Sequence, residues 1–91
     1  MEKNEVSIHE AKLFRALEKG RAEWATSKDL AKAAGINDRT ARAHCYKLAK
    51  IGLLDTAEVF PAHRYKLAEK AEKRNAGYFT RLRMACEVFS L

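Results

Sequence analysis

Two short segments with helical signals, joined by a glycine, constrain the fold of this 91-residue chain more than any other feature. Thr26 precedes the first segment and Asp29 lies three residues later, a spacing at which the two residues cap the start of a helix. Gly35 ends this segment, and Asn37 is placed as the N-cap of a second helix that runs to about Ile51. Two helices separated by so short a glycine-containing turn are typical of a helix-turn-helix, which the sequence therefore predicts.

Another helix is predicted before this motif. Ser7 is placed as its N-cap and Glu10 lies three residues later, so the pair predicts a capping box. Gly20 ends this helix. The next segment, residues 21–25, is too short for another helix, and we predict an extended conformation for it. Its Trp24 is expected to pack in the core or against a sheet, because a lone tryptophan is usually buried, the alternative being a stacking platform.

After Gly52 the pattern changes from helical to extended. Residues 53–60 are rich in β-branched and apolar residues, and Pro61-Ala62 can turn. Residues 63–67 alternate between the two faces of a strand. The sequence therefore predicts a β-hairpin here, and a fold that is mostly α-helical with one small β-hairpin and a C-terminal helix.

The predicted third helix has one apolar side and one basic side. At about 100° per residue, Ala41, Cys45 and Leu48 form a buried seam. The opposite side holds four cations, an alanine and a tyrosine: Arg39, Arg42, Ala43, Tyr46, Lys47 and Lys50. The formal net charge of +6 also favours a polyanionic partner. Such a helix fits the ~12 Å major groove of DNA, where an arginine can donate two hydrogen bonds to guanine. We interpret the basic side as DNA-reading, the alternative being a merely solvated surface.

Smaller polar residues fit the same interpretation. Ser27, Asn37 and Thr40 lie at or near helix N-termini, where backbone N–H groups and the helix dipole favour a phosphate oxygen. Helix capping is their alternative role. Three residues of the predicted hairpin are basic: His63, Arg64 and Lys66. They are expected to approach the phosphate backbone or the minor groove, the alternative being surface solubility.

Three motifs in this chain resemble the winged helix-turn-helix domain of bacterial regulators of the MarR, ArsR and GntR type. They read DLAKAAGI, RTARAHCYKLAKIGLL and RYKL, and the resemblance covers about residues 8–67. On the matching positions it implies that five residues face the major groove: Arg39, Thr40, Arg42, Ala43 and Tyr46. It also implies that His63 and Arg64, on the hairpin called the wing, approach the backbone or minor groove. Ala41 and Cys45 depart from the pattern, because larger aliphatic residues are usual there.

Residues 68–91 carry a different pattern, with seam residues at alternating spacings of three and four. The seam and the two residues that widen it are Ala71, Asn75, Tyr78, Phe79, Leu82, Ala85, Cys86 and Phe89. The segment that carries this seam can fold back onto the first helix or pair with the same segment of a second copy. We favour a homodimer, because reading two half-sites needs two-fold symmetry. Asn75-Ala76-Gly77 can divide this segment into two helices, because glycine is unfavourable inside a helix. The predicted division is a DNA-binding domain at 1–67 and a dimerisation element at 68–91.

Catalytic and metal-binding patterns do not stand out. The three histidines have no spacing that would converge on a metal ion, and Cys45 and Cys86 are expected to be buried structural thiols, the alternative being a metal- or redox-sensing role. No glycine-rich phosphate loop or nucleophile motif is present, so we expect neither an enzyme nor a cofactor. The sequence shows no apolar run of ~18 residues and no apolar leader, which favours a cytoplasmic protein that does not enter a membrane.

These features predict a transcriptional regulator that binds double-stranded DNA sequence-specifically, at a pseudo-palindromic site. The third helix, about 38–51, would lie in the major groove, and the wing, about 54–67, on the backbone or minor groove. Two alternatives remain. A winged-helix adaptor would bind a protein partner through the C-terminal stripe, and a plasmid or phage replication or partition factor would make the same DNA contacts at an origin.

Overall fold

The computed structural model describes residues 6–20, 23–59 and 62–91. Its elements, in chain order, are α1 (Ile8–Lys19), α2 (Ser27–Ala34), α3 (Asp38–Lys50), β1 (Leu54–Val59), β2 (Ala62–Leu67), α4 (Ala71–Arg74) and α5 (Ala76–Val88). The predicted fold class, mostly helical with one β-hairpin and a C-terminal helix, is confirmed. Among the described residues, no helix has the length and apolar composition that crossing a bilayer requires.

The turn between α2 and α3 forms as the sequence predicts. The Thr26 side chain accepts a hydrogen bond from the Asp29 N–H at 3.1 Å, and the Asp29 carboxylate accepts one from the Thr26 N–H at 3.3 Å. Gly35 ends α2 with a φ of 71°, a left-handed conformation that costs a glycine little. Asn37 then caps α3 by accepting from the N–H groups of Arg39 and Thr40.

The capping box predicted for α1 forms only in part. The Ser7 hydroxyl accepts from the Glu10 N–H at 3.1 Å. The Glu10 carboxylate, however, does not complete the box: it is buried and accepts hydrogen bonds from Lys47 and Tyr78. Because a buried carboxylate without partners is costly, these contacts across the core take precedence over a local cap.

The hairpin pairs β1 with β2 in antiparallel register, with Thr56 opposite Tyr65. Ala25 adds a third, single-residue strand at the β2 edge, through backbone hydrogen bonds of 2.9 and 2.7 Å with Tyr65. The extended conformation predicted for residues 21–25 is confirmed at Ala25, and residues 21 and 22 lie outside the described residues. Of the predicted turn, Pro61 lies outside the described residues, and Ala62 begins β2.

Of the two positions expected for Trp24, the core is wrong and packing against the sheet is confirmed. It is 42% exposed and its ring packs beneath the ammonium group of Lys66. The strand alternation explains this position, because Tyr65 and Leu67 point into the core and Lys66, between them, points to the other face.

The core is formed between the three helices of the amino-terminal half, the hairpin and α5. The predicted α3 seam of Ala41, Cys45 and Leu48 is fully buried. Phe14 on α1 meets Phe79 on α5 edge to face, with ring centres 5.4 Å apart. Rings in this arrangement stabilise a core by more than their buried area alone.

The C-terminal segment is divided at Asn75, whose side chain accepts a hydrogen bond from the Tyr78 N–H at 3.4 Å and starts α5. α5 then packs against α1. Four residues that we expected at a dimer contact are instead buried in the chain's own core: Ala71, Phe79, Leu82 and Cys86. Tyr78 and Ala85 pack partly against the same core, and Phe89 is 37% exposed. The seam pattern in the sequence could not distinguish folding back onto α1 from pairing with a second copy, because either arrangement buries the same apolar side chains.

Ion pairs also hold the end of α5 on α1. Glu18 lies 3.0 Å from the Arg15 guanidinium and 3.2 Å from that of Arg83. Arg15 also donates a hydrogen bond of 2.9 Å to the carbonyl oxygen of Leu91. The Glu18–Arg83 and Arg15–Leu91 contacts join residues far apart in the sequence, so α5 is part of the folded unit.

Candidate nucleic-acid interface

An open groove with a volume of about 880 Å³ lies between the start of α2, the exposed face of α3 and the hairpin. Its lining residues are Thr26, Ser27, Lys28, Asp38, Arg39, Arg42, Ala43, Tyr46, His63 and Tyr65. Six of the predicted DNA-contact residues are therefore brought together, although they come from three separate stretches of the chain.

The burial of the α3 seam explains why the basic side of this helix faces the groove. With Ala41 and Cys45 inaccessible to solvent, residues on the opposite side of the helix must point outward. Tyr46 is 63% exposed, and the Lys50 ammonium lies 5.3 Å from its ring centre. Ala43 has only a methyl side chain, so a ligand can approach the helix backbone closely at that position.

The groove is positively charged. Three cations line it, namely Lys28, Arg39 and Arg42, against the single carboxylate of Asp38. Burial raises the pKa of Tyr65 at the floor of the groove, and the nearby Cys45 adds to the shift while Arg42 opposes it. The Tyr65 hydroxyl is therefore protonated near neutral pH and can donate a hydrogen bond.

The three residues that we predicted to contact phosphate from helix starts differ from one another in position. Asn37 is a cap: its side-chain oxygen accepts from the N–H groups of Arg39 at 2.8 Å and Thr40 at 3.3 Å. Thr40 is half-buried and is not among the groove residues. Ser27 is the first residue of α2 and lines the groove.

Lys47 does not point into the groove, although we expected it on that side. Its ammonium lies 3.4 Å from the buried carboxylate of Glu10 and 5.1 Å from the ring centre of Tyr78. Burial lowers the pKa of Lys47. The hydrogen bond with Tyr78 and the charge of Glu10 together raise this pKa by more, so that the net shift is upward. Lys47 lies at the margin of the basic face, where α1 and α5 are close enough to bind it.

The sequence matches no protein-family model, and no curated protein is significantly similar to it. Solved structures do match. The Sulfolobus solfataricus DNA-binding protein Sso10a-2 superposes with a TM-score of 0.61 at 18% identity, over 89% of this chain and 84% of that one. The Bordetella bronchiseptica protein BpsR, whose DNA binding is regulated by 6-hydroxynicotinic acid, gives 0.64 at 13% identity, over 93% and 67%. The MarR-family transcription regulator SP03579 gives 0.63 at 18% identity, over 94% and 55%.

The chain has the winged helix-turn-helix fold. The hairpin of β1 and β2 is its wing, and α2 and α3 are its helix-turn-helix. The resemblance seen in the sequence motifs is thereby confirmed at the level of the fold.

The predicted wing residues divide between the two faces of the hairpin. His63 lies on the groove side, and its Nε2 is 3.8 Å from the Glu58 carboxylate, so this pair is ionic only when the imidazole is protonated. Arg64 and Lys66 alternate with His63 and Tyr65 along β2, which places them on the other face. Neither of them lines the groove.

Four groove residues were not predicted as contacts from the sequence: Thr26, Lys28, Asp38 and Tyr65. Lys28 follows Ser27 in the first turn of α2, so a cation beside a predicted phosphate contact was an available signal. Tyr65 gave no such signal, because strand alternation places it on the same face as Leu67, which is buried. It is both nearly buried and at the floor of the groove.

Both cysteines are buried, Cys45 on α3 and Cys86 on α5. Burial raises the pKa of Cys45 to about 12 and also raises that of Cys86. Both thiols are therefore protonated at neutral pH, which disfavours reactivity and metal binding. Across residues 6–20, 23–59 and 62–91, no three His, Cys, Asp or Glu side chains are grouped so that they could hold a metal ion.

Proposed function

We propose that this chain is a transcriptional regulator that binds double-stranded DNA sequence-specifically. The observation that carries the proposal is the groove, in which exposed Arg39, Arg42 and Tyr46 of α3 are flanked by the start of α2 and by the wing. α3 inserts into the major groove, and the wing lies on the adjacent backbone or minor groove.

Each part of the groove then has a chemical role. Arg39 and Arg42 donate paired hydrogen bonds to guanine O6 and N7, and the Ala43 methyl packs against a thymine methyl. Ser27 donates to a phosphate oxygen at the start of α2. Lys47 is bound to Glu10. Further contacts with the backbone or minor groove come from the other remaining predicted residues: Asn37, Thr40, Lys50, His63, Arg64 and Lys66.

The comparisons support DNA as the partner. Sso10a-2 is described as a DNA-binding protein and SP03579 as a transcription regulator, and each covers about nine-tenths or more of this chain. The net charge of +6 favours the same partner. We place such a regulator in the cytoplasm, where it has access to DNA.

We further propose a homodimer, with residues 1–67 binding DNA and residues 68–91 carrying the dimer contact. Since much of the predicted seam is buried within the chain, the outer side of α5 and the residues after it form this contact. Met84 and Val88 there are 58% and 77% exposed, and Phe89 and Leu91 are partly exposed. Two copies related by two-fold symmetry would read half-sites about 34 Å apart.

Selection of bound sequences from a random duplex pool tests the proposed function. We expect a pseudo-palindromic site to be enriched and to bind at least about a thousandfold more tightly than unrelated duplex. Binding with no sequence preference would contradict specific recognition. Light scattering across a concentration series tests the dimer, which a purely monomeric profile would exclude.

The second candidate function is a protein-interaction adaptor, favoured by the exposed apolar side chains of Met84 and Val88. An adaptor would use the outer side of α5 to bind another protein, and the basic groove would play no part. A gel shift with mixed-sequence duplex at low salt separates the two candidates. DNA binding that is abolished by salt supports the regulator, whereas no binding at any salt concentration favours the adaptor.

A further inference from the structure

Tyr65 lies where the wing, the segment before α2 and the helix α3 meet. On one edge of β2 it lies opposite Thr56 of β1, and on the other its N–H and C=O form hydrogen bonds of 2.7 and 2.9 Å with Ala25. Its side chain belongs to the same buried cluster as Cys45 of α3. Tyr65 also lines the groove, so it is a residue of fixed position at the groove floor.

The hydroxyl group of Tyr65 has no hydrogen-bond partner among the described residues. In this part of the chain, every side-chain oxygen or nitrogen that is sealed from solvent within a residue that is not exposed has a partner. The unpartnered Tyr65 hydroxyl is therefore not sealed, although the residue as a whole is only 8% exposed. Its ring is buried and its polar end is open to the groove, where a hydroxyl can accept a hydrogen bond as well as donate one.

Arg42 is an exposed cation of the same groove. Among the described residues, no carboxylate lies within ion-pair distance of its guanidinium, and this includes Asp38, one helical turn earlier. The positive charge of Arg42 lowers the pKa of Tyr65, against the larger effect of burial, so the two groups interact across the groove floor. A long side chain without a partner loses conformational entropy when it is ordered, and paired hydrogen bonds require the guanidinium plane to be fixed.

We propose that Tyr65 is a positioning residue for Arg42. In the complex with DNA, the Tyr65 hydroxyl accepts a hydrogen bond from one guanidinium N–H, and two others remain directed at guanine O6 and N7. A hydroxyl suits this role because it brings no negative charge towards the phosphate groups. The inference rests on the proposed function, and it adds a residue through which the wing affects base readout by α3.

The test compares two duplexes, namely the selected site and the same site changed at the base pair whose preference Arg42→Ala relaxes. Tyr65→Phe removes only the hydroxyl. We expect it to weaken binding to the selected duplex about five- to tenfold, the scale of one hydrogen bond, and to keep binding to the changed duplex within about twofold. The melting temperature should stay that of the wild type, because the hydroxyl has no partner to lose in the free protein. Equal weakening on both duplexes, or none on either, would overturn the inference.

Thr56→Val is the matched control, because it removes a hydroxyl from the exposed residue directly opposite Tyr65 on β1. It should leave both affinities unchanged. Asp38→Asn tests the other polar group of the groove that lies close to Arg42 along the helix. If Asp38→Asn reduced the discrimination between the duplexes and Tyr65→Phe did not, Asp38 would hold Arg42 and the inference would be wrong.

A double-mutant cycle shows whether Tyr65 acts through Arg42. In the Arg42→Ala background, Tyr65→Phe should change affinity for the selected duplex by less than about twofold. Additive losses would mean that the hydroxyl contacts DNA by itself, which contradicts a positioning role. If Arg42→Ala relaxed no base pair, the inference would fail while readout by Arg39 kept the proposed function. If no site were selected from the random pool, both would fail.

Discussion

The ammonium of Lys47 on α3 lies 3.4 Å from the carboxylate of Glu10 on α1, a side chain only 2% exposed. The Tyr78 hydroxyl, on α5, donates a hydrogen bond to the other oxygen of the same carboxylate. One buried charge therefore ties the groove-lining helix to both the first and the last long helix. The orientation of α3 depends in this way on residues that do not border the groove.

Replacing Lys47 with methionine should destabilise the fold. The variant keeps the length of the side chain but leaves the buried Glu10 carboxylate with one partner fewer, and we expect a loss of about 1–3 kcal/mol in the free energy of unfolding. Urea denaturation followed by circular dichroism measures this loss. Lys50→Met is the control, because the Lys50 ammonium lies over an exposed ring. Combining Lys47→Met with Glu10→Gln should recover part of the stability, and a larger loss in the double variant would contradict the charge explanation.

His44 makes the stability depend on pH. Burial is the main cause that lowers its pKa below the ordinary 6.5; Glu10 opposes the shift, while Lys47 and His9 add to it. Because the unfolded chain binds this proton more readily than the folded one, stability is lost as pH falls from 6.5 through the folded pKa. His44→Gln should reduce the slope of unfolding free energy against pH in that window. Equal slopes in wild type and His44→Gln would refute the assignment.

Two glycine substitutions should change stability in opposite directions. Gly77 lies inside α5 with open space where a Cβ would be added, so Gly77→Ala should raise stability by about 0.5–1 kcal/mol. Gly35 has a φ of +71°, a conformation that strains an alanine, so Gly35→Ala should lower stability by about 1 kcal/mol. Thermal melting of the two variants compares them directly. A destabilised Gly77→Ala would mean that α5 does not begin at Ala76.

Local signals predicted the fold well, because capping depends on residues three or four positions apart. Thr26, Asp29, Gly35 and Asn37 act as the sequence indicates. The exceptions are contacts between distant parts of the chain. The partners of Glu10 lie 37 and 68 residues away, so a local capping role was the only one that its neighbours in sequence could suggest.

The same limit explains which parts of the candidate site could be predicted. Helical periodicity separated the α3 seam from its basic face and so identified Arg39, Arg42 and Tyr46, which line the groove. It could not show that Lys47, at the edge of that face, would be bound by α1 and α5. Strand alternation placed Lys66 on the face of β2 opposite to that of Tyr65. Only the pairing of Ala25 with Tyr65, however, brings Trp24 beside Lys66.

Arg42 and Lys50 should affect DNA binding in different ways. If Arg42 reads a base, Arg42→Ala should cost about 1–3 kcal/mol against the selected site and relax the preference at one base pair. Lys50→Ala should weaken binding to all sequences alike and lower the salt slope by about 0.9, because a phosphate contact carries no base information. Competition binding with the selected duplex, with duplexes changed at single positions, and at several salt concentrations measures both effects. Lys19→Ala, at the exposed end of α1, controls for loss of charge alone. If Arg42→Ala weakened every duplex equally, Arg42 would be a backbone contact, and sequence readout would have to come from Arg39 and Tyr46.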